Sequence, residues 1–207
     1  MEYFFYCRDR PGTFPLRMEL AEAHWAFMDR YGDELIARGP TFGADGETVT
    51  GSMHIADLPG PAAAREFAFE EPNYKAGVYG DVLISRWTNV LGRTMWQFAT
   101  AVPGYERFLV IAHGKAAAPG DDKLAESLGA ESLGQAQQRY LDGLYGDRLI
   151  AYGPLLSDDG ADRTGTVLLV ELPDRAAAET LMDGDPYARN GRYTDVEIHA
   201  WEFGGRR

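Results

Sequence analysis

Apolar and polar positions along the chain follow strand and helix periods in an order that occurs twice. Each half begins with a short apolar run, residues 3–6 and 108–111, of the kind that forms a buried strand. A segment with helical spacing follows, which in the first half contains Leu20 and Phe27 and ends near Gly32. The pattern predicts a strand and then a helix at the start of each half.

A hairpin and a second helix complete each half. In the first half two β-prone stretches, residues 35–42 and 49–55, flank an Asp-Gly turn, where glycine tolerates a positive φ. The alanine-rich run that begins at Pro61 predicts a second helix, and residues 82–87 predict a closing strand. The predicted order in each half is β-α-β-β-α-β.

The two halves are copies of one another. A shift of 114 positions aligns them without a gap, and the identical pairs include Tyr31 and Tyr145, Gly39 and Gly153, Tyr79 and Tyr193, and Trp87 and Trp201. A repeat of this kind must be recognised before any fold is assigned. We predict a first repeat in residues 1–98, which includes the connection, and a second repeat in residues 99–207.

This element order is typical of a ferredoxin-like unit, in which an antiparallel sheet carries both helices on one face. Strands such as residues 108–111 and 167–170 are apolar on both sides, so the bare face also needs cover. We predict an α+β fold in which two fused ferredoxin-like (βαββαβ) repeats pack sheet to sheet as a pseudo-dimeric α/β barrel. The apolar connection around Met95 and Trp96 is expected to pack across the join, and residues 113–123 to form a surface loop or a lid.

The composition of the chain indicates which classes of partner it can bind. The chain has 207 residues and a net charge of −12, which argues against binding to a phosphate backbone. The single cysteine, Cys7, cannot form an intramolecular disulfide, and no apolar run reaches the roughly 18 residues that a membrane helix requires. We expect a cytoplasmic protein without nucleic-acid or membrane partners, either a pseudo-dimeric monomer or a homodimer, that binds a small molecule.

A set of spaced residues occurs in both halves and resembles the YciI-like, or YCII-related, family of the dimeric α/β-barrel superfamily. In the first half the set is Arg17, His24, Gly39-Pro40, Gly51, Glu71-Pro72 and Trp87. In the second half it is Glu131, Gln138, Gly153-Pro154, Gly165, Asp185-Pro186 and Trp201. The resemblance implies a small cofactor-free enzyme with a His-Asp pair in a pocket between helix and sheet.

The resemblance also implies the candidate site. His24 and Glu71 are expected to form the catalytic acid–base pair, with Arg17, Gln138 and Asp185 as substrate-binding residues. Glu71 replaces the aspartate of the family, and the second half has Gln138 where the family has histidine. We therefore expect any acid–base centre to lie in the first repeat.

Each of these residues also has a structural interpretation. His24 lies on the apolar stripe of its helix and would also suit a core histidine bonded to backbone or tyrosine groups. Arg17 would suit an ion pair at a helix end, with Glu71 as one partner. Glu71 and Asp185 each precede a proline and would also suit helix or turn caps.

The remaining histidines, His54, His113 and His199, lack the close spacing of a metal motif. We therefore predict no metal, and the resemblance implies no cofactor. The function expected is a cofactor-independent lyase or isomerase acting on a small anionic compound, aromatic or polyketide-like. A non-catalytic ligand-binding or accessory protein is the alternative, and an oxygen-using monooxygenase on the same barrel also fits the sequence.

Overall fold

The computed structural model describes residues 1–114 and 132–205. The first repeat forms β1 (Glu2–Asp9), α1 (Phe14–Glu19), α2 (Ala21–Asp29), β2 (Leu35–Phe42), β3 (Val49–Asp57), α3 (Pro61–Phe69), α4 (Pro72–Lys75) and β4 (Tyr79–Trp87). A 3₁₀ helix follows at Met95–Gln97. The second repeat forms β5 (Glu106–Gly114), α5 (Leu133–Tyr145), β6 (Leu149–Leu156), β7 (Arg163–Leu172), α6 (Arg175–Gly184), α7 (Pro186–Arg189) and β8 (Tyr193–Trp201). None of the helices in these two ranges is long and apolar enough to cross a membrane.

The eight strands close into one antiparallel barrel. Their order around it is β1-β3-β2-β8-β5-β7-β6-β4, so each repeat contributes four neighbouring strands. The repeats join at two short seams, where β2 pairs with β8 through Thr41 and Trp201, and β4 pairs with β6 through Trp87 and Leu155. The predicted fusion of two ferredoxin-like repeats into a pseudo-dimeric barrel is confirmed.

The barrel interior is an apolar core to which both repeats contribute. Its buried residues include Phe4, Tyr6, Met53, Ile55 and Trp87 from the first repeat, and Leu109, Ile111, Val167, Leu169 and Trp201 from the second. Because side chains alternate along a strand, the other face of each sheet packs against that repeat's own helices. Each sheet therefore has both faces covered, and burial of apolar surface at about 25 cal/mol per Å² stabilises the fused chain.

The first helical segment differs from the prediction, and the connection between the repeats agrees with it. The first helical segment is split, because Leu20 leaves helical geometry with φ −92° and ψ 0°, and Arg17 therefore lies on α1 while His24 lies on α2. The connection packs as expected, since Met95 is 2% exposed and belongs to the barrel core. Most of the predicted loop at residues 113–123 lies outside the described residues.

Each seam brings a glycine of one repeat against the backbone of the other. A Cβ atom at Gly39 would collide with the carbonyl oxygen of Glu202, and one at Gly153 would collide with that of Thr88. At the first seam Glu202 N donates to Pro40 O at 3.2 Å, and at the second Trp87 Nε1 donates to Gly153 O at 3.1 Å. Gly39 and Gly153 are needed because only a residue without a side chain permits this approach.

We expect Gly39→Ala and Gly153→Ala each to lower the free energy of unfolding by about 1–3 kcal/mol, because the added methyl group overpacks a seam. Gly143→Ala is the control, since no heavy atom lies within 4 Å of its built Cβ inside α5. That change should stabilise the protein by roughly 0.5–1 kcal/mol. Denaturant unfolding measures all three, and a seam variant as stable as the control would contradict this role.

Candidate functional site

A cavity of about 240 Å³ lies in the first repeat, between α1, α2 and the outer face of the sheet. Alternation along β3 determines which side chains reach it: Ser52 and His54 face the helices, while Met53 and Ile55 enter the barrel core. The last described residues of the second repeat close one side. The lining residues are Arg17, Met18, Ala21, His24, Trp25, Met28, Arg38, Gly39, Pro40, Ser52, His54, Asn73, Phe203, Gly204 and Gly205.

His24 lines this cavity and contacts Glu71, which is not among the lining residues. The distance from His24 Nδ1 to Glu71 Oε1 is 2.6 Å, so the extra methylene of glutamate does not separate the pair. Glu71 is 2% exposed, and its second oxygen accepts the backbone N–H of Tyr74 at 2.9 Å as the N-cap of α4. The carboxylate thus caps a helix and orients the imidazole at the same time.

Arg17 lines the cavity but does not pair with Glu71. Its guanidinium donates to both carboxylate oxygens of Asp9, at 2.9 and 3.1 Å, and to the Ser52 hydroxyl at 2.5 Å. Burial raises the pKa of Asp9 to about 6, although the charge of Arg17 opposes this shift. The sequence analysis did not single out Asp9. Its position could have indicated it, because Asp9 lies two residues after Cys7 in β1, and side chains two apart on a strand share a face, here the one that the helices cover.

His54 also lines the cavity, which the sequence had not indicated. It is 3% exposed, and its ring centroid lies 6.0 Å from that of His24. Burial lowers the pKa of His54 well below its usual 6.5, and the nearby His24 and Arg17 lower it further. His54 is therefore neutral at pH 7, beside a second imidazole that is held by a carboxylate.

In the second repeat the predicted Gln138 is not at the site. Gln138 is exposed, while its neighbour Gln137 is 2% exposed and donates to Asp185 Oδ2 at 2.5 Å. In the first repeat α2 begins at Ala21, after the break at Leu20, whereas α5 runs without a break from Leu133 to Tyr145. Asp185 is fully buried and also caps α7 by accepting the N–H of Tyr187 at 2.8 Å.

An arginine fills the space around Gln137. The Arg163 guanidinium donates to Gln137 Oε1 and, at 2.5 Å, to Thr166 Oγ1, and it lies 3.8 Å above the ring of Tyr187. Thr166 in turn contacts the Tyr193 hydroxyl at 2.7 Å. These four polar groups bond one another. Glu131, aligned with Arg17, lies outside the described residues.

A third polar cluster lies inside one end of the barrel. Glu197 accepts hydrogen bonds from Arg8 at 2.6 Å, from His113 at 2.7 Å and from His199 at 3.0 Å. His113, Asp195 and Glu197 place possible ligand atoms within 4.8 Å of one another, so they could hold a cation. A cation there would compete with the Arg8 guanidinium for Glu197.

Burial alone would raise the pKa of Glu197, but the hydrogen bonds from Arg8, His113 and His199 outweigh it and lower the pKa to about 2. A depressed carboxylate pKa stabilises the folded state above the unfolded value of about 4.5, and this contribution is lost as the pH falls from there through 2. We expect Glu197→Gln to lower the free energy of unfolding by about 2 kcal/mol at pH 7 and by less at pH 4. Melting curves at both pH values measure it, and an equal loss at both would contradict it.

Two separate stretches of the chain match the same protein family. The family model for the YCII-related domain matches residues 1–88 and again residues 113–202. The chain belongs to the YCII-related family. An uncharacterised protein from Haemophilus influenzae is 32% identical over 97 residues, which are 44% of this chain and 99% of that protein. That relative is therefore one repeat long, and the boundary between residues 98 and 99 stays a prediction.

Solved structures share the fold of this YCII-related chain. A mutant chlorite dismutase from Candidatus Nitrospira defluvii has a TM-score of 0.57 with 11% identity, covering 97% of this chain and 91% of that one. A heme-binding protein from Thermus thermophilus has a TM-score of 0.54 with 11% identity, over 97% and 90% of the two chains. A 5-chloro-2-hydroxyhydroquinone dehydrochlorinase from Burkholderia phenoliruptrix is 27% identical with a TM-score of 0.41, over 45% of this chain and 99% of that one. The first two likenesses extend to the fold alone.

Neither the first-repeat cavity nor the opening at the barrel end fits a haem. The first-repeat cavity, at about 240 Å³, is too small for a tetrapyrrole. At the larger opening of about 930 Å³ at the barrel end, both ring nitrogens of His199 are already bonded, to Glu197 and to Tyr6. His199 could act as an axial ligand only if one of those bonds were broken.

Proposed function

We propose that the first repeat binds a small anionic ring compound and transfers a proton to or from it, as a cofactor-independent lyase or isomerase. The observation that carries the proposal is the 2.6 Å contact of His24 with Glu71 beside a cavity. An ionised carboxylate can only accept, so with Glu71 ionised and the imidazole neutral, Nδ1 of His24 donates and Nε2 carries the lone pair. This is the arrangement of a general base held in one tautomer.

The charge of the cavity wall supports an anionic ligand. Among the described residues that line it are two guanidinium groups, Arg17 and Arg38, and two imidazoles, but no carboxylate. The acidic partners, Asp9 of Arg17, Glu71 of His24 and Asp29 of Arg38, are not among the lining residues. A guanidinium can receive a carboxylate or an enolate through two parallel hydrogen bonds.

The size and the apolar part of the wall support a single ring. Ligand pockets for drug-sized molecules are roughly 300–1,000 Å³, and this cavity of about 240 Å³ is smaller. Met18, Trp25, Met28 and Phe203 supply apolar surface on the wall. A planar monocyclic acid satisfies both the apolar surface and the cations.

Proton transfer can be tested before the natural substrate is known. The full chain is incubated in D₂O with a panel of monocyclic carboxylates that carry a C–H next to a carbonyl group, and loss of the C–H signal is followed by proton NMR. We expect at least one compound to exchange faster with the protein than in buffer alone. Binding of panel members without faster exchange would overturn the catalytic proposal and favour a ligand-binding protein.

A further inference from the structure

His54 occupies a position where the fold accepts an apolar residue. The equivalent residue in the second repeat is Leu168, which is 0% exposed and packs in the core between sheet and helices. His54 lies in the same place on β3 and packs edge-on against Phe67, with ring centroids 5.6 Å apart. Packing against the helices therefore does not explain why the first repeat has an imidazole here.

Hydrogen bonding within the protein does not explain it either. In the parts of the chain that the structure describes, Nδ1 of His54 is enclosed and has no partner, and no hydrogen bond reaches Nε2. A buried polar group without a partner destabilises the fold, so the imidazole at this position needs another explanation. Since only Nδ1 is enclosed and the residue lines the cavity, Nε2 is the nitrogen that a ligand can reach.

We propose that His54 is a ligand-binding residue whose Nε2 hydrogen-bonds a hydroxyl group on the ring of the bound acid. This rests on the proposed function and adds the substrate class, a monocyclic hydroxy acid. A hydroxyl group both donates and accepts, so it pairs with either tautomer of a neutral imidazole, and burial keeps His54 neutral. The 6.0 Å between the ring centroids of His24 and His54 allows one small ligand to contact both.

The test uses His54→Leu, which installs the side chain of the second repeat. Binding of benzoate and of its 2-, 3- and 4-hydroxy derivatives to the full chain is measured by isothermal titration calorimetry. We expect at least one hydroxy isomer to bind wild type about 3- to 10-fold more tightly than benzoate, the range that one neutral hydrogen bond supplies. In His54→Leu that preference should disappear, while the affinity for benzoate stays within about twofold.

Thermal stability gives an independent readout. If His54 serves a ligand, His54→Leu should melt at the same temperature as wild type or higher, because an unpaired imidazole is replaced by the residue that fits this core. A lower melting temperature, or a hydroxyl preference that survives in the variant, would overturn the proposal. If no probe binds wild type, the ligand class in the proposed function fails, and the melting comparison still decides whether His54 is structural.

Discussion

Replacing His24 by glutamine should lower the rate of proton exchange by a factor of about 10²–10⁴, the usual contribution of a positioned acid–base group. The second repeat shows why glutamine is the matched substitution: Gln137 donates to Asp185 at 2.5 Å in the corresponding place. An amide at position 24 can keep the hydrogen bond to Glu71, but it cannot transfer a proton. Exchange of the panel compound in D₂O measures the rate.

Binding separates the chemical role of His24 from a structural one. The affinity for the hydroxybenzoate probe and the melting temperature should change little in His24→Gln, because the cavity and its cations are retained. Gln138→Ala is the control in the other repeat, and since Gln138 is exposed it should leave rate, affinity and stability unchanged. An exchange rate in His24→Gln equal to that of wild type would contradict the catalytic role.

Leu109→Asp should unfold the chain or lower its melting temperature by more than about 10 °C. Leu109 is 0% exposed in the barrel core, among residues of both repeats, and an unpaired buried carboxylate costs several kcal/mol. For a chain of this size 1 kcal/mol corresponds to about 2–4 °C. Leu144→Asp, at a residue that is 68% exposed, is the control and should cost about 1 kcal/mol or less.

The strands that lose amide protection in Leu109→Asp show whether the two repeats unfold together. Leu109 belongs to the second repeat, but the barrel core is shared, so amide protection should also be lost in β1 and β3 of the first repeat. Hydrogen exchange measured by NMR gives this residue by residue. Retained protection of β1 and β3 in Leu109→Asp would mean that the repeats fold independently.

The barrel could be predicted from the sequence because two strong signals agree. The repeat at a shift of 114 positions fixes the order of elements, and strands that are apolar on both faces, such as residues 167–170, require a second layer. Only a sheet-to-sheet pairing of the repeats covers both faces with the elements available. The seams themselves could not be predicted, because each consists of short pairings such as Thr41 with Trp201.

Only part of the candidate site could be predicted from the sequence. His24 and Glu71 follow from the family pattern, but whether they touch depends on where a buried carboxylate is fixed, which here is set by the cap on α4. Asp9 and His54 were missed because the sequence does not show which face of their strands, β1 and β3, the helices cover. Gln137 was also missed, and the sequence does not show that the helix break at Leu20 has no counterpart in α5.

The two repeats now differ in what fills the space between helix and sheet. In the second repeat Arg163 donates hydrogen bonds to Gln137 and Thr166. In the first repeat His54 has no protein partner among the described residues, and a cavity remains beside it. Among the described residues, a cavity thus lies beside the imidazole of the first repeat, whereas an arginine occupies the corresponding place in the second.

A crystal structure of the full chain soaked with the tightest-binding hydroxybenzoate is the most direct test of a reactive chamber in the first repeat. The account predicts the ring between α2 and β3, its carboxylate against Arg17 or Arg38, and an oxygen within hydrogen-bond distance of His54. Density for the ring at the barrel end beside His199, or beside Gln137 in the second repeat, with the first-repeat cavity empty, would contradict it.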